Sequence, residues 1–164
     1  MAVIISYLPT ILASFTAIIL ACLIGSYMGQ KLVLSKKNGL AENLSLHKTL
    51  SCLANILRFI PYIMLLFILW LALNRFTGIL PVIAGAVFLE ILPMAVLDTR
   101  KTLDSVSTDI INAATALGAA PEDILKLFMY PAVKEQLIRK NIYLLFYGLF
   151  CAIASLLWFS LIAR

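Results

Sequence analysis

The residues able to do chemistry are few, and their spacing argues against catalysis. Cys22, Cys52 and Cys151 stand far apart in apolar runs with no Cys-x-x-Cys pair and no Cys/His spacing. They read as small packing residues, so neither a disulfide framework nor a metal site is expected. His47, alone beside Lys48, reads as a solvated loop residue. There is no Gly-rich phosphate loop and no Glu/His/Cys constellation, so the chain is not expected to be an enzyme. One acid stands apart. Glu90 lies in an otherwise apolar window, and an acid at membrane depth is costly enough to be a functional candidate. Three readings of it are open: a pair with Arg58, a position facing a cavity between two copies, or a place nearer the interface. Asn55 and Arg58 are further candidates for the lining of a transport path. Their competing reading is that they orient the entry of a helix.

The elements that must hold these residues are membrane helices. Of 164 residues, 63% are hydrophobic and 13% charged, and the mean hydropathy is +1.03. A soluble domain is about 45–50% apolar and about 25% charged, so the apolar excess here must face lipid. A net charge of +5 would suggest nucleic acid in a soluble protein. In a membrane protein the placement of charge matters more than its sum, and no nucleic-acid partner is expected.

Uncharged windows place four spans. Residues 2–30 form a 29-residue stretch without charge, longer than the roughly 20 residues needed to cross the hydrocarbon. Ile19-Leu20-Ala21-Cys22 faintly resembles a lipoprotein cleavage site, but no Lys or Arg occurs in the first thirty residues, so this span is expected to be retained. The second span is expected over 49–74 with Arg58 snorkelling at its entry, the third over 76–97, interrupted by Glu90 and Pro93, and the fourth over 141–163. Trp70 and Trp158 suit an aromatic belt, and Met64, Met94 and Met129 are packing residues. Gly25, Gly29, Gly85 and Gly148 read as generic small-residue contacts. Lys31, Lys36, Lys37 and Lys48 follow the first span, and Arg100, Lys101, Lys126, Lys134, Arg139 and Lys140 lie between the third and fourth; Arg75 and Arg164 fall on the other side. Ten basic residues against two place the two basic segments in the cytoplasm and both termini outside.

Residues 98–140 are too polar to span, yet patterned. Leu103, Val106, Ile110, Ala114 and Leu117 recur every three or four positions, which predicts one covered helical face. Gly118 stands where helices end in the left-handed conformation. Pro121 followed by Glu122 and Asp123 is a helix start with proline first and acids at the positive dipole end. The second helix is expected to stop at Tyr130, before Pro131.

This segment resembles the EAA loop of ABC importer permeases. Asn112-Ala113-Ala114, Gly118 four residues later and Pro131 nineteen residues after Asn112 reproduce its spacing, with Asn112 in place of the family's Glu and Tyr130 in place of its Leu. Thr49-Leu50-Ser51, Asn55, Arg58, Pro61-Tyr62-Ile63 and Pro93 are similar to the second and third core helices of the methionine-type permeases, so that the likeness runs over residues 46–150. The resemblance implies an all-α integral membrane protein of the bacterial inner membrane, importing methionine or a related amino acid. It implies a homodimer, or a heteromer with another permease chain, beside an ABC ATPase and a substrate-binding lipoprotein. ATP and Mg would sit on the ATPase, with no cofactor on this chain. The coupling role carries over to Asn112, Ala113, Ala114, Gly118, Ala119, Ala120, Pro121, Leu125 and Pro131; Asn112 lacks the family's charge, which implies weaker coupling. Methionine-type permeases continue through a glycine-rich segment and a fifth core helix, whereas this sequence ends at Arg164. The expectation is either a minimal permease whose path other subunits complete, or an ABC-associated regulatory or structural subunit that docks the ATPase without a complete path.

Overall fold

A computed structural model describes residues 2–35, 43–77 and 79–162, with side chains described for 8–35, 43–72 and 79–161. Lys36, Lys37 and Arg164 and the side chain of Arg75, used in the charge argument above, lie outside the described residues. The elements are α1 (Ala2–Leu34), α2 (Leu44–Phe59), α3 (Tyr62–Thr77), α4 (Ile79–Asp104), α5 (Thr108–Ala116), α6 (Pro121–Asp123), a π-helical stretch (Ile124–Met129) and α7 (Tyr130–Ile162). Three of the helical stretches, Leu8–Leu34, Ile79–Asp104 and Pro121–Leu161, are long and apolar enough to cross a membrane. A fourth crossing exists only if α2 and α3 are taken together, and these are bent by 93°.

That bend corrects the continuous second span expected over 49–74. Asn43 caps α2 by accepting the Leu46 N–H at 3.2 Å, so the helix starts five residues earlier than Thr49. It ends at Phe59 because Ile60 is extended (φ −85°, ψ 115°). Pro61 disfavours helical geometry at the residue before it and offers no N–H to continue the ladder. His47 is not a solvated residue either: its Nδ1 lies 3.0 Å from the Leu32 carbonyl oxygen and ties the start of α2 to the end of α1.

The third and fourth spans are longer than their uncharged windows. α4 runs on to Asp104, where Thr102 and Ser105 turn their hydroxyls back on the carbonyls of Asp98 and Thr102, both at 2.7 Å. The stripe expected from Leu103 to Leu117 is broken at Ser107, whose hydroxyl caps α5 by accepting the Asp109 N–H at 3.2 Å. The break resets the helical phase. Leu103, Val106 and Ala114 are buried while Ile110 and Leu117 are exposed, so the expected single face does not form.

Pro131 does not end a helix. The backbone continues from Pro121 into α7 through the π-helical stretch, in which the Tyr130 N–H reaches back to the Leu125 carbonyl. A wider turn moves the preceding carbonyls away from the proline ring and absorbs its missing donor, so the chain bends without stopping.

Besides a smaller cluster of Ala54, Val96 and Leu97 that joins α2 to α4, two larger cores among the described residues hold the bundle. Midway along it, Ile18 and Ala21 of α1, Ile83, Val87, Ile91 and Ala95 of α4, and Leu144, Cys151, Ala152 and Leu156 of α7 pack together. At one end, Leu34, Leu103, Val106, Ala114, Ile124, Leu125, Met129, Val133 and Leu137 form a second core that joins the ends of α1, α4 and α7 to α5 and the π-helical stretch. Gly25 and Gly29 let α1 lie directly on α4: a Cβ on Gly25 would stand 2.5 Å from the Ala95 Cβ, and one on Gly29 would stand 2.8 Å from the Val96 carbonyl oxygen. These glycines therefore serve a contact within the chain.

Candidate coupling surface and intramembrane polar cluster

The α5–α6 turn is built by backbone chemistry. Gly118 adopts φ +75°. The Ala119 N–H donates to the Ala114 carbonyl at 3.2 Å and the Gly118 N–H to the Thr115 carbonyl at 2.9 Å, the paired bonds of a Schellman motif. Ala120 then opens α6, its carbonyl accepting the N–H groups of Asp123 and Ile124 at 3.0 Å each. Pro121 occupies the first turn with Glu122 and Asp123 at the positive end.

The turn has an inner and an outer side. Ala114 (1% exposed) and Leu125 (3%) belong to the end core, so any part they have in coupling is to hold the turn in place. Asn112, Ala113, Gly118, Ala120 and Pro131 are exposed, and Ala119 and Pro121 half-buried. At their centre stands Leu117, 81% exposed, which the periodicity reading placed on a covered face. Its position just before a left-handed glycine was the available signal, because the last helical residue before such a turn projects outward once the phase is reset at Ser107. Glu122 connects the turn to α1 through Lys31 at 3.6 Å and to Lys126 at 3.6 Å. The groups of the Lys31–Glu122 pair are 41% and 62% exposed, so Lys31→Ala is expected to change stability by less than about 0.5 kcal/mol in a thermal unfolding assay.

The intramembrane candidates are not brought together. Asn55 and Arg58 lie exposed on α2, Arg58 in its last turn, where its charge suits the helix dipole. Glu90 lies on α4, 9% exposed, and no ion pair with Arg58 forms among the described residues. Its neighbours are instead Tyr62 of α3 and Tyr147 and Cys151 of α7, all within electrostatic reach. Sequence spacing gave no sign of this cluster, since its members lie on three helices, α3, α4 and α7, far apart in the chain. The Tyr62 hydroxyl lies 2.6 Å from Ser155 Oγ, which in turn donates to the Cys151 carbonyl at 2.7 Å. This ties the start of α3 to α7. Tyr62→Phe removes one bond of that chain and is expected to cost about 0.5–1.5 kcal/mol in a detergent unfolding titration; no change would mean that α3 is held by packing alone.

A membrane bundle with an exposed inter-helix turn at one end and an acid among its spans defines a multi-pass helical membrane protein. The chain belongs to the family of binding-protein-dependent transport system inner membrane components, whose model matches residues 21–160. It is 32% identical over 134 residues to the probable D-methionine transport system permease protein MetI of Haemophilus influenzae, covering 79% of this chain and 62% of the relative. It is 30% identical over 116 residues to the Vibrio cholerae protein of the same name (66% and 49%) and 26% identical over 140 residues to the Escherichia coli D-methionine permease (79% and 61%). The chain thus spans less than two thirds of the length of these relatives. In fold it is similar to a chain of the MetNI methionine ABC transporter in an inward-facing conformation, with TM-score 0.77 and 22% identity, covering 89% of this chain and 69% of that one.

Proposed function

We propose that this chain is the membrane-spanning subunit of an ABC importer that couples ATP hydrolysis on a partner ATPase to uptake of methionine or a related amino acid. The observation that carries the reading is the exposed α5–Gly118–α6 turn mounted on the end core. Ala114, Ile124, Leu125 and Met129 lock it to Leu34 of α1, Leu103 and Val106 of α4, and Val133 and Leu137 of α7. Because packed interiors transmit strain with little compression, a push on the turn moves the ends of all three long helices together. Closure of an ATPase pair would supply such a push. The names of the relatives support methionine as the first substrate to test. On this reading the basic end carrying the turn is cytoplasmic and both termini lie outside. The chain works as a dimer or beside another permease chain, and a substrate-binding lipoprotein delivers the cargo. ATP and Mg are held by the ATPase.

The experiment is affinity purification of the tagged chain in mild detergent, followed by reconstitution in bilayers with its copurified partners. An ABC ATPase is expected to copurify, with hydrolysis and uptake stimulated by a methionine-loaded binding protein. Copurification without any stimulated uptake would mark a docking subunit that lacks a path of its own. Absence of an ATPase would remove the coupling role.

A further inference from the structure

The seam between α1 and α7 has features that the coupling role does not use. Beside the mid-bundle core, a cavity of about 250 Å³ is walled by Ile18, Cys22 and Leu23 of α1 and by Ile138, Ile142 and Leu145 of α7. Asn141, half-buried in the same wall, adds an amide able to donate a hydrogen bond to an ester carbonyl. A second cavity of about 250 Å³ lies between Gln30 of α1 and Leu125, Lys126 and Tyr130. Gln30 follows Cys22 by eight residues of unbroken helix, about 12 Å along its axis. Cys22, Ser26 and Gln30 share one face of α1, and Tyr130, Lys134, Ile138, Asn141 and Leu145 follow one another at three- or four-residue steps along one face of α7. The two cavities are therefore parts of one groove.

The two ends of the groove differ in chemistry. Apart from Asn141, the deeper cavity is apolar. The other end gathers Lys31, Lys126 and Lys134 around one carboxylate, that of Glu122, which both Lys31 and Lys126 approach at 3.6 Å. Lys134 is exposed and forms no ion pair among the described residues, because the adjacent Glu135 turns to Arg139 at 3.9 Å. Tyr27, 61% exposed, holds its ring 5.8 Å from the Lys31 Nζ, an aromatic anchor of the kind found at headgroup level. Apolar walls by themselves do not choose among lipids, since every acyl chain is as apolar as they are. An excess of positive charge at the mouth does choose, because it favours a negative headgroup. We propose that this groove binds one anionic phospholipid, with an acyl chain in the cavity between Ile18 and Leu145 and the phosphate at Lys126, Lys134 and Gln30. Such a lipid joins α1 to the π-helical stretch, and through it to the α5–α6 turn. The proposal needs the chain to lie in a bilayer and does not depend on the importer reading.

The experiment is native mass spectrometry of the full chain, delipidated in mild detergent and titrated with phosphatidylglycerol or phosphatidylcholine of identical acyl chains. The adduct with phosphatidylglycerol is expected at about tenfold lower concentration or less, the preference that two uncompensated lysines give at a headgroup. Lys126→Gln combined with Lys134→Gln should bring the two lipids within about threefold of each other. Lys48→Gln combined with Lys101→Gln removes the same charge from exposed positions on α2 and α4 and should leave the preference intact. Ile142→Trp fills the apolar cavity from a half-exposed position and should weaken phosphatidylglycerol by about tenfold. An unfolding midpoint like that of the parent shows that each variant is folded. Equal binding of both lipids by the parent, or a preference that survives loss of Lys126 and Lys134, would overturn the site. A preference that falls as far in the Lys48 and Lys101 variant, or an Ile142→Trp chain with parental affinity, would do the same. Phosphatidylglycerol carried by monomers and absent from dimers would give the groove to a second copy of the chain and overturn the lipid assignment. Loss of ATPase copurification, by contrast, would defeat the importer reading and leave this titration unaffected.

Discussion

Leucine in place of Gly29 is expected to prevent the bundle from folding. A Cβ at this position would lie 2.7 Å from the Thr99 Cβ and 2.8 Å from the Val96 carbonyl oxygen, and one at Gly25 would lie 2.5 Å from the Ala95 Cβ and 3.1 Å from the Leu92 carbonyl oxygen. The obstacles are backbone atoms and β-carbons, which cannot swing aside as the end of a long side chain can. α1 and α4 would have to separate along their contact, and the core formed by Ile18, Ala21, Ile91 and Ala95 would open with them. Overpacking of this kind costs about 1–3 kcal/mol for a modest intrusion. Alanine at either glycine is expected to fall in that range and leucine beyond it, against a total stability of about 5–15 kcal/mol. The measurement is the monodisperse fraction after extraction, together with the midpoint of an unfolding titration in denaturing detergent. Gly85→Ala is the internal control. Among the described residues its added Cβ meets only the Leu69 Cδ1 at 3.6 Å, an ordinary contact, and the midpoint should stay within about 0.5 kcal/mol of the parent. A Gly29→Leu chain that extracts and unfolds like the parent would show that α1 does not lie against α4 as described.

Tryptophan at Gly118 is expected to have the opposite signature: a folded chain that no longer holds the ATPase proposed as its partner. Among the described residues nothing lies within 4 Å of a Cβ built on Gly118, so a side chain there displaces no atom of the described core. The cost to folding is the left-handed backbone, φ +75°, roughly 1–2 kcal/mol for a residue with a Cβ. The unfolding midpoint should fall by about that much. The indole would cover the turn beside Leu117, where the partner is proposed to seat, and copurification of the ATPase should drop by about tenfold or more, as for loss of a central interface contact. Gly118→Asn separates the two effects. Asparagine tolerates the left-handed region and is short, so it should keep most of the stability and most of the partner. If Gly118→Trp retains the ATPase at parental yield, the turn is not the docking surface, whatever the family resemblance implies. A Leu117→Ser chain then offers a second test at the most exposed apolar residue of the turn.

The local features of this protein are legible in its sequence because each depends on a few adjacent residues. Uncharged runs around Ile18 and Leu144, and the apolar window around Val87 broken only by Glu90, are long enough to demand membrane helices. A left-handed residue at Gly118 and a helix start at Pro121 follow from the conformational preferences of glycine and proline, and the family resemblance was carried by the spacing of the residues around them. The limits of that reading appear at three places. At Pro131, proline chemistry predicts a stop, but the π-helical stretch widens the preceding turn and the helix passes through. Between Leu103 and Leu117, a continuous period predicts one covered face, but the cap at Ser107 interrupts it and exposes Leu117. At Ile60-Pro61 the sequence contains the reason for a break, whereas the 93° bend is a matter of how α2 and α3 pack against α4. Only the tertiary structure decided that Gly25 and Gly29 face α4, that the Glu90 neighbours are Tyr62 and Tyr147 while Arg58 stands apart, and that the turn is joined to three long helices through one core. The physical reason is range. Periodicity, capping and proline geometry act within a turn or two of helix, while the choice of which faces meet is made by packing between residues far apart in the chain, and no short stretch of sequence records it.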